Sequence, residues 1–377
     1  LNVTLAGTFT TTNVDNFETI NATARDETAA VITTASGKGV NDNDATTFTL
    51  TGGNSLTTFT HGATTVIGAL DGSQATGLVT YDMSAYTGGT TAVSFGDQVL
   101  DTNMTVKGSA GADTVNALYD ADATVGSMTG VETFNITNDT GNLAVNMKNV
   151  DDVTKMTVAQ TTGVGITTLT DIDEGVVITL TSATTEDGLT VDLINKTATD
   201  NAQTVKLTAV GAANNDINLN LSDIETVTLD VKEGNSRKID RDLSTTALTS
   251  VGAVSTLVVK ATSVADLISL NADITTIDAS TSTAAVKVLA AARGPGALTF
   301  TGGTGDDQIA MENLADVLSG GEKTGDDDNL IVNYTAILGG INIDLTAADQ
   351  VVSMDGGTNT AVQTGFASVD LSSFSGF

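Results

Sequence analysis

The chain has no cysteine and no tryptophan, one proline and one histidine among 377 residues, and aromatic side chains make up only 4%. The missing cysteine excludes disulfides, thiol nucleophiles and cysteine-based zinc or iron–sulfur sites. The single histidine, His61, lies between Thr60 and Gly62 in what reads as a surface turn. It leaves Ser–His–Asp catalysis and multi-histidine metal chemistry without their parts. So few aromatics leave out a large aromatic-centred core. Cationic side chains are scarce as well. Fifteen Lys and Arg against 46 Asp and Glu give a formal net charge of −31, which repels phosphate backbones and argues against nucleic-acid binding. No run approaches the ~20 apolar residues of a membrane-spanning helix. The sequence opens at Leu1 without Met and stops at Ser375-Gly376-Phe377, which reads as a segment of something longer.

What is present points to β-structure. Threonine occurs 68 times and glycine 38 times, and 40% of residues are apolar, enough for a packed interior. Threonine's branched side chain suits a pleated surface better than a helix. Apolar residues alternate with polar ones over short stretches, as at Val227, Leu229 and Val231, at Leu189, Val191 and Leu193, and at Leu143, Val145 and Met147. Such segments bury one face and wet the other. Few Asn-Gly or Asp-Gly pairs stand between them, Asp71-Gly72 and Asp187-Gly188 being the candidates for tight hairpins. A phrase recurs instead: Asn16-Phe-Glu-Thr-Ile-Asn21, Gly130-Val-Glu-Thr-Phe-Asn135, Asp223-Ile-Glu-Thr-Val-Thr228 and, more loosely, Asp273-Ile-Thr-Thr-Ile-Asp278. Irregularly repeated phrases with strands between them predict an all-β, right-handed parallel β-solenoid whose coils vary in length. Helical patterns are confined to Ser263–Leu270 and Met311–Leu318, a turn of helix at most. A soft boundary near Lys107 separates a Thr/Gly-rich segment, residues 1–105, from a cleaner solenoid over 106–377.

The most specific motif is Gly302-Gly303-Thr304-Gly305-Asp306-Asp307-Gln308-Ile309-Ala310. It fits the nonapeptide G-G-x-G-x-D-x-U-x of calcium-binding β-rolls, with U a large apolar residue. Glycines permit a tight turn with converging carbonyls. The sixth-place Asp307 supplies a carboxylate, and Ile309 drives the next strand inward. Calcium takes six to eight oxygens at about 2.3–2.6 Å, which stacked turns supply. A second copy, Gly108-Ser109-Ala110-Gly111-Ala112-Asp113-Thr114-Val115-Asn116, lacks only the second glycine. A third is broken: Asp316-Val-Leu-Ser-Gly320-Gly321, then an insertion at Glu322-Lys323-Thr324, then Gly325-Asp326-Asp327-Asp328-Asn329-Leu330. Asn41-Asp42-Asn43-Asp44, Asp151-Asp152, Asp171 with Asp173-Glu174, and Glu186-Asp187 read as solvated turns, none in the order of an EF-hand loop.

Asp273-Ile-Thr-Thr-Ile-Asp-Ala-Ser280, Val286-Lys-Val288 and Leu298-Thr-Phe-Thr-Gly-Gly-Thr-Gly-Asp-Asp307 together resemble the body of RTX-type surface-layer proteins of Gram-negative bacteria. The Val-Glu-Thr-Phe-Asn and Ile-Glu-Thr-Val-Thr phrases are similar to that family's lead-ins. The resemblance covers about residues 105–375. It implies a calcium-dependent β-solenoid, type I secretion to the cell surface and assembly into a two-dimensional lattice. It further implies Ca2+ ligands at Asp307 and Asp113 and at the carbonyls of Gly303, Gly305 and Gly111, with Asp306, Asp326, Asp327 and Asp328 nearby. The chain departs from long RTX arrays in having isolated nonapeptides.

The functional expectation is a structural, non-enzymatic lattice subunit in which calcium governs both folding and assembly, with self-assembly and cell-surface polysaccharide or lipopolysaccharide as partners. The alternatives are an RTX adhesin or extracellular matrix protein and, further off, a polysaccharide lyase or epimerase. The last needs basic residues gathered at a cleft. The single basic cluster, Lys232, Arg237, Lys238 and Arg241, is interleaved with Glu233, Asp240 and Asp242 and reads as a charged loop.

Overall fold

The structure is a computed structural model. It describes residues 100, 102, 104–108, 111–160, 165–182, 188–194, 200–208, 218–222, 224–232, 237–239, 255–267, 270, 273–289, 296–321, 327–333, 340–354 and 357–372, together with eight backbone strands within residues 1–99. His61, Pro295, Arg241, Asp326 and the Asn41–Asp44 and Glu186–Asp187 clusters lie outside the described residues.

The described chain is an all-β parallel β-solenoid, as the alternation and the shortage of hairpin signals predicted. Parallel neighbours cannot be joined by a tight turn. Here the crossover from one strand to its neighbour passes through a strand of another sheet. Two compact units divide the chain: residues 1–172 with 176–179, and residues 173–175 with 180–377. In the first, Thr91–Phe95, Thr114–Tyr119, Thr133–Asn138 and Lys155–Gln160 lie side by side in parallel. Between them in sequence come strands of two other sheets, such as Met104–Lys107 beside Ser127–Thr129, and Ala123–Thr124 beside Leu143–Asn146.

In the second unit Ala202–Thr208, Thr226–Lys232, Thr256–Ala261, Thr276–Asp278, Thr299–Thr301, Val317–Ser319 and Gln363–Thr364 follow one another in one parallel sheet. A second sheet runs Arg237–Ile239, Ala265–Leu267, Val286–Val288, Gln308–Met311, Asn329–Val332 and Ser368–Asp370. One excursion breaks the pattern: Ile341–Ile343, Val351–Met354 and Gly357–Thr358 pair antiparallel.

Because side chains alternate along a strand, register stacks like on like between coils. Val227, Leu257, Ile277, Phe300 and Leu318 form one inward column in successive coils, each fully or almost fully buried. Each such side chain contributes roughly 1.5–3 kcal/mol by leaving water. In the first unit Val115, Phe134 and Met156 stack in the same way.

One expectation needs correction. No helix occurs among the described residues. Ala265–Leu267, within the expected helical turn, is a strand whose Ala265 and Leu267 are buried against the next coil. Met311 ends one strand, Val317 starts another, and a turn lies between them. Pairing with neighbouring coils outweighs local helical spacing there. The strand Ile166–Ile172 begins with Ile166 pointing outward at 42% exposure. Thr167 takes the interior position because its Oγ1 accepts the buried Asn138 Nδ2 at 2.9 Å.

Candidate functional site

The nonapeptide turn sits between Thr299–Thr301 and Gln308–Met311. Its first glycine is required by the approach of the next coil. A Cβ on Gly302 would lie 2.1 Å from the carbonyl oxygen of Gly320 and 2.4 Å from Asp307 Oδ2. Gly303 and Gly305 are buried, Asp306 is exposed, and Ile309 enters the core.

Asp307 is fully buried. Its Oδ1 accepts the backbone N–H of Val286 at 2.7 Å, and its Oδ2 accepts that of Gly303 at 2.9 Å. Its own N–H donates to Asp328 Oδ1 at 2.7 Å. A buried carboxylate is tolerated when charge-assisted hydrogen bonds replace the lost water, and these backbone donors do that.

The second copy has the same layout where it is described; Ser109 and Ala110 lie outside the described residues. A Cβ on Gly108 would meet the Gly130 carbonyl oxygen at 1.7 Å and Asp113 Oδ2 at 2.8 Å. Gly111 is half-buried and Asp113 is buried. The N–H of Asp113 donates to Glu132 Oε2 at 2.6 Å. In the broken third copy the acidic run divides. Asp328 is buried beneath Gly320, whereas Asp327 is exposed and donates its N–H to Asp306 Oδ1 at 3.2 Å.

The expected ligand residues therefore fall into two groups. Asp113, Asp307 and Asp328 face inward; Asp306 and Asp327 face outward in neighbouring coils. Among the described residues no three acidic or histidine side chains come together as a metal cluster. A cation at Asp307 would have to share oxygens that already accept two backbone N–H groups. The outward pair carries a lighter commitment, the one backbone bond from Asp327 N–H to Asp306 Oδ1.

A further residue of the same kind opens the broken third copy, where the sequence reading assigned it no ligand role. Asp316 is fully buried. Its Oδ1 accepts Leu298 N–H at 2.8 Å, and its Oδ2 accepts Glu312 and Asn313 N–H at 3.0 Å each. The available signal was its place directly before a strand, the place Asp307 also holds.

The other described acidic turns also bond to neighbouring coils. Asp151 and Asp152 are exposed, and Asp152 Oδ2 accepts Gly130 N–H at 2.9 Å. Of the basic cluster, Lys232 pairs with Asp230 at 3.1 Å. Arg237 and Lys238 belong to the strand beside Ala265–Leu267. No family model matches the chain, and neither a curated protein nor a solved structure matches it.

Proposed function

We propose that the chain is a structural subunit of a two-dimensional coat on the outer surface of a Gram-negative bacterium, secreted and assembled with calcium, and not an enzyme. The supporting observation is the regular outer face of the coils. Thr226, Thr256, Thr276 and Thr299 follow one another in register. A face that repeats at each coil, about every 4.8 Å, presents the same small contact many times over. Heterologous contacts repeated by symmetry build lattices from such faces.

Calcium enters through charge. A net charge of −31 opposes close packing of copies, and divalent ions at outward carboxylates such as Asp306 and Asp327 cancel part of it. At a dissociation constant of roughly 10⁻⁴ M and a hundredfold excess of free ion, each such site adds about 2.7 kcal/mol to the folded state. Lys232 and the Arg237–Ile239 strand are the places where anionic cell-surface polysaccharide or lipopolysaccharide would attach.

The test is assembly of the purified chain watched by electron microscopy while calcium is added and then removed with EGTA. Ordered sheets that form with calcium and disperse with EGTA support the coat. Sheets indifferent to EGTA remove calcium from the account. Fibres or single particles that grip glycan without forming sheets favour the adhesin.

A further inference from the structure

Five carboxylates share one arrangement that neither the calcium motif nor the coat explains. Glu132, Glu225, Asp307, Asp316 and Asp328 each stand directly before a strand. Each accepts the N–H of the residue beside it in the preceding coil. The donors are Asp113 at 2.6 Å, Asn201 at 2.8 Å, Val286 at 2.7 Å, Leu298 at 2.8 Å and Asp307 at 2.7 Å. The pairs are positional partners, one step ahead of Thr114↔Thr133, Ala202↔Thr226, Lys287↔Gln308, Thr299↔Val317 and Gln308↔Asn329.

The carbonyl of the same donor residue is taken by the first strand N–H of the next coil. The distances are 3.0 Å at Asp113, 3.1 Å at Asn201, 2.8 Å at Leu298 and 2.9 Å at Asp307. Both backbone groups at the strand start are thus satisfied from one side, the carbonyl by the ladder and the N–H by the acid. A strand such as Thr299–Thr301 or Val317–Ser319 has three residues, and so few ladder bonds hold its alignment weakly. A slip by one residue would turn its buried face outward. A carboxylate that reaches one particular N–H fails to reach it after such a slip.

We infer that these carboxylates are register pins, and that the coils they join fold without metal. Asp307 is thereby a structural residue despite its place in the nonapeptide. Val286, Asp307 and Asp328 form a continuous run through three coils, each donor 21 residues from its acceptor. The recurring Val-Glu-Thr and Ile-Glu-Thr phrases owe their glutamates to the same task. The inference stands apart from the coat, because a pinned solenoid is compatible with any surface role.

The test compares wild type, Asp307→Asn and Asp306→Asn, each with calcium and with EGTA, by circular dichroism and thermal melting of the full chain. Asparagine keeps one acceptor oxygen but turns an NH2 toward the second buried N–H. Wild type is expected to keep its β-spectrum in EGTA. Asp307→Asn is expected to melt at least about 2 °C lower, by the same amount in both buffers, or to fail to fold in both. Asp306→Asn should match wild type in EGTA. The inference is overturned by a wild type that loses its β-spectrum in EGTA. It is equally overturned by an Asp307→Asn protein that equals wild type in EGTA and falls behind it only in calcium.

Discussion

Leu298 and Thr275 are positional neighbours in one sheet, yet their backbone N–H groups go opposite ways. The N–H groups of Thr275 and Thr276 both donate back to the Ser255 carbonyl, at 3.0 Å each. At the next coil Thr299 alone donates back, to Thr275 at 2.8 Å, and Leu298 sends its N–H forward to Asp316. The first arrangement shares one acceptor between two donors and needs no acid. The hydroxyl of Thr275 merely adds a third bond to the same carbonyl, at 3.3 Å. The second leaves a buried N–H with no backbone acceptor, and a buried donor must be met. An acid of the next coil meets an N–H such as that of Leu298 or Asn201, while sharing of one carbonyl occurs at several hydroxyl residues and also at Glu225 and Ala367. Thr154, which shares the Glu132 carbonyl with Lys155, and Ser255, which shares that of Glu225 with Thr256, follow the hydroxyl pattern.

This contrast can be broken by mutation. The largest effect is expected at Asp316→Ala, which strips the acceptors of three backbone N–H groups and should cost about 3 kcal/mol or more in urea unfolding. Gly302→Ala drives a methyl group against the Gly320 carbonyl and should cost about 2–3 kcal/mol. Gly175→Ala, with open space around it but φ of +82°, should cost about 1 kcal/mol of backbone strain alone. Glu225→Gln keeps an acceptor for Asn201 and should cost about 1 kcal/mol. Thr275→Ala should stay within about 0.5 kcal/mol, because its backbone bonds remain. A Thr275→Ala loss as large as that of Asp316→Ala would erase the contrast.

The smallest effect concerns acid. Thr346, through its hydroxyl and then its backbone N–H, holds the exposed Asp344 carboxyl below the ordinary aspartate value, and the backbone N–H of Ser372 does the same for Asp370. A carboxyl lowered in the folded state stabilises fully above its unfolded value, about 3.9. That contribution is lost as pH falls through the lower folded value. Both turns should stay formed at pH 5 and open only in stronger acid, as side-chain carboxyl chemical shifts would report. Titration of either carboxyl at or above 3.9 would contradict this.

Much of this architecture was legible in the sequence, for a physical reason. Burial on one face of a strand imposes alternation, so Val227, Leu229 and Val231, or Leu143, Val145 and Met147, identify themselves. The recurring Glu-Thr phrase was legible as a repeat but not as a device, because its glutamate acts on a residue about twenty positions upstream. Asp316 stood in the sequence as the start of the broken third copy, but its task was hidden for the same reason: its partner Leu298 is defined by coil length, which varies. The antiparallel excursion went unread, although Asp355-Gly356, the kind of pair tight hairpins favour, stands in the sequence between the strands ending at Met354 and starting at Gly357. The nonapeptide signalled a glycine turn correctly, since Gly302 is needed wherever two coils approach closely, with or without a cation.

The central claim, that carboxylates and not metal hold the coils in register, is tested most directly by amide hydrogen exchange on the wild-type chain in EGTA and in calcium. The N–H groups of Val286, Leu298 and Asn201 are expected to exchange slowly and at matching rates in the two buffers. Exchange at Val286 and Leu298 that is about tenfold or more faster in EGTA, with protection restored by calcium, would contradict it.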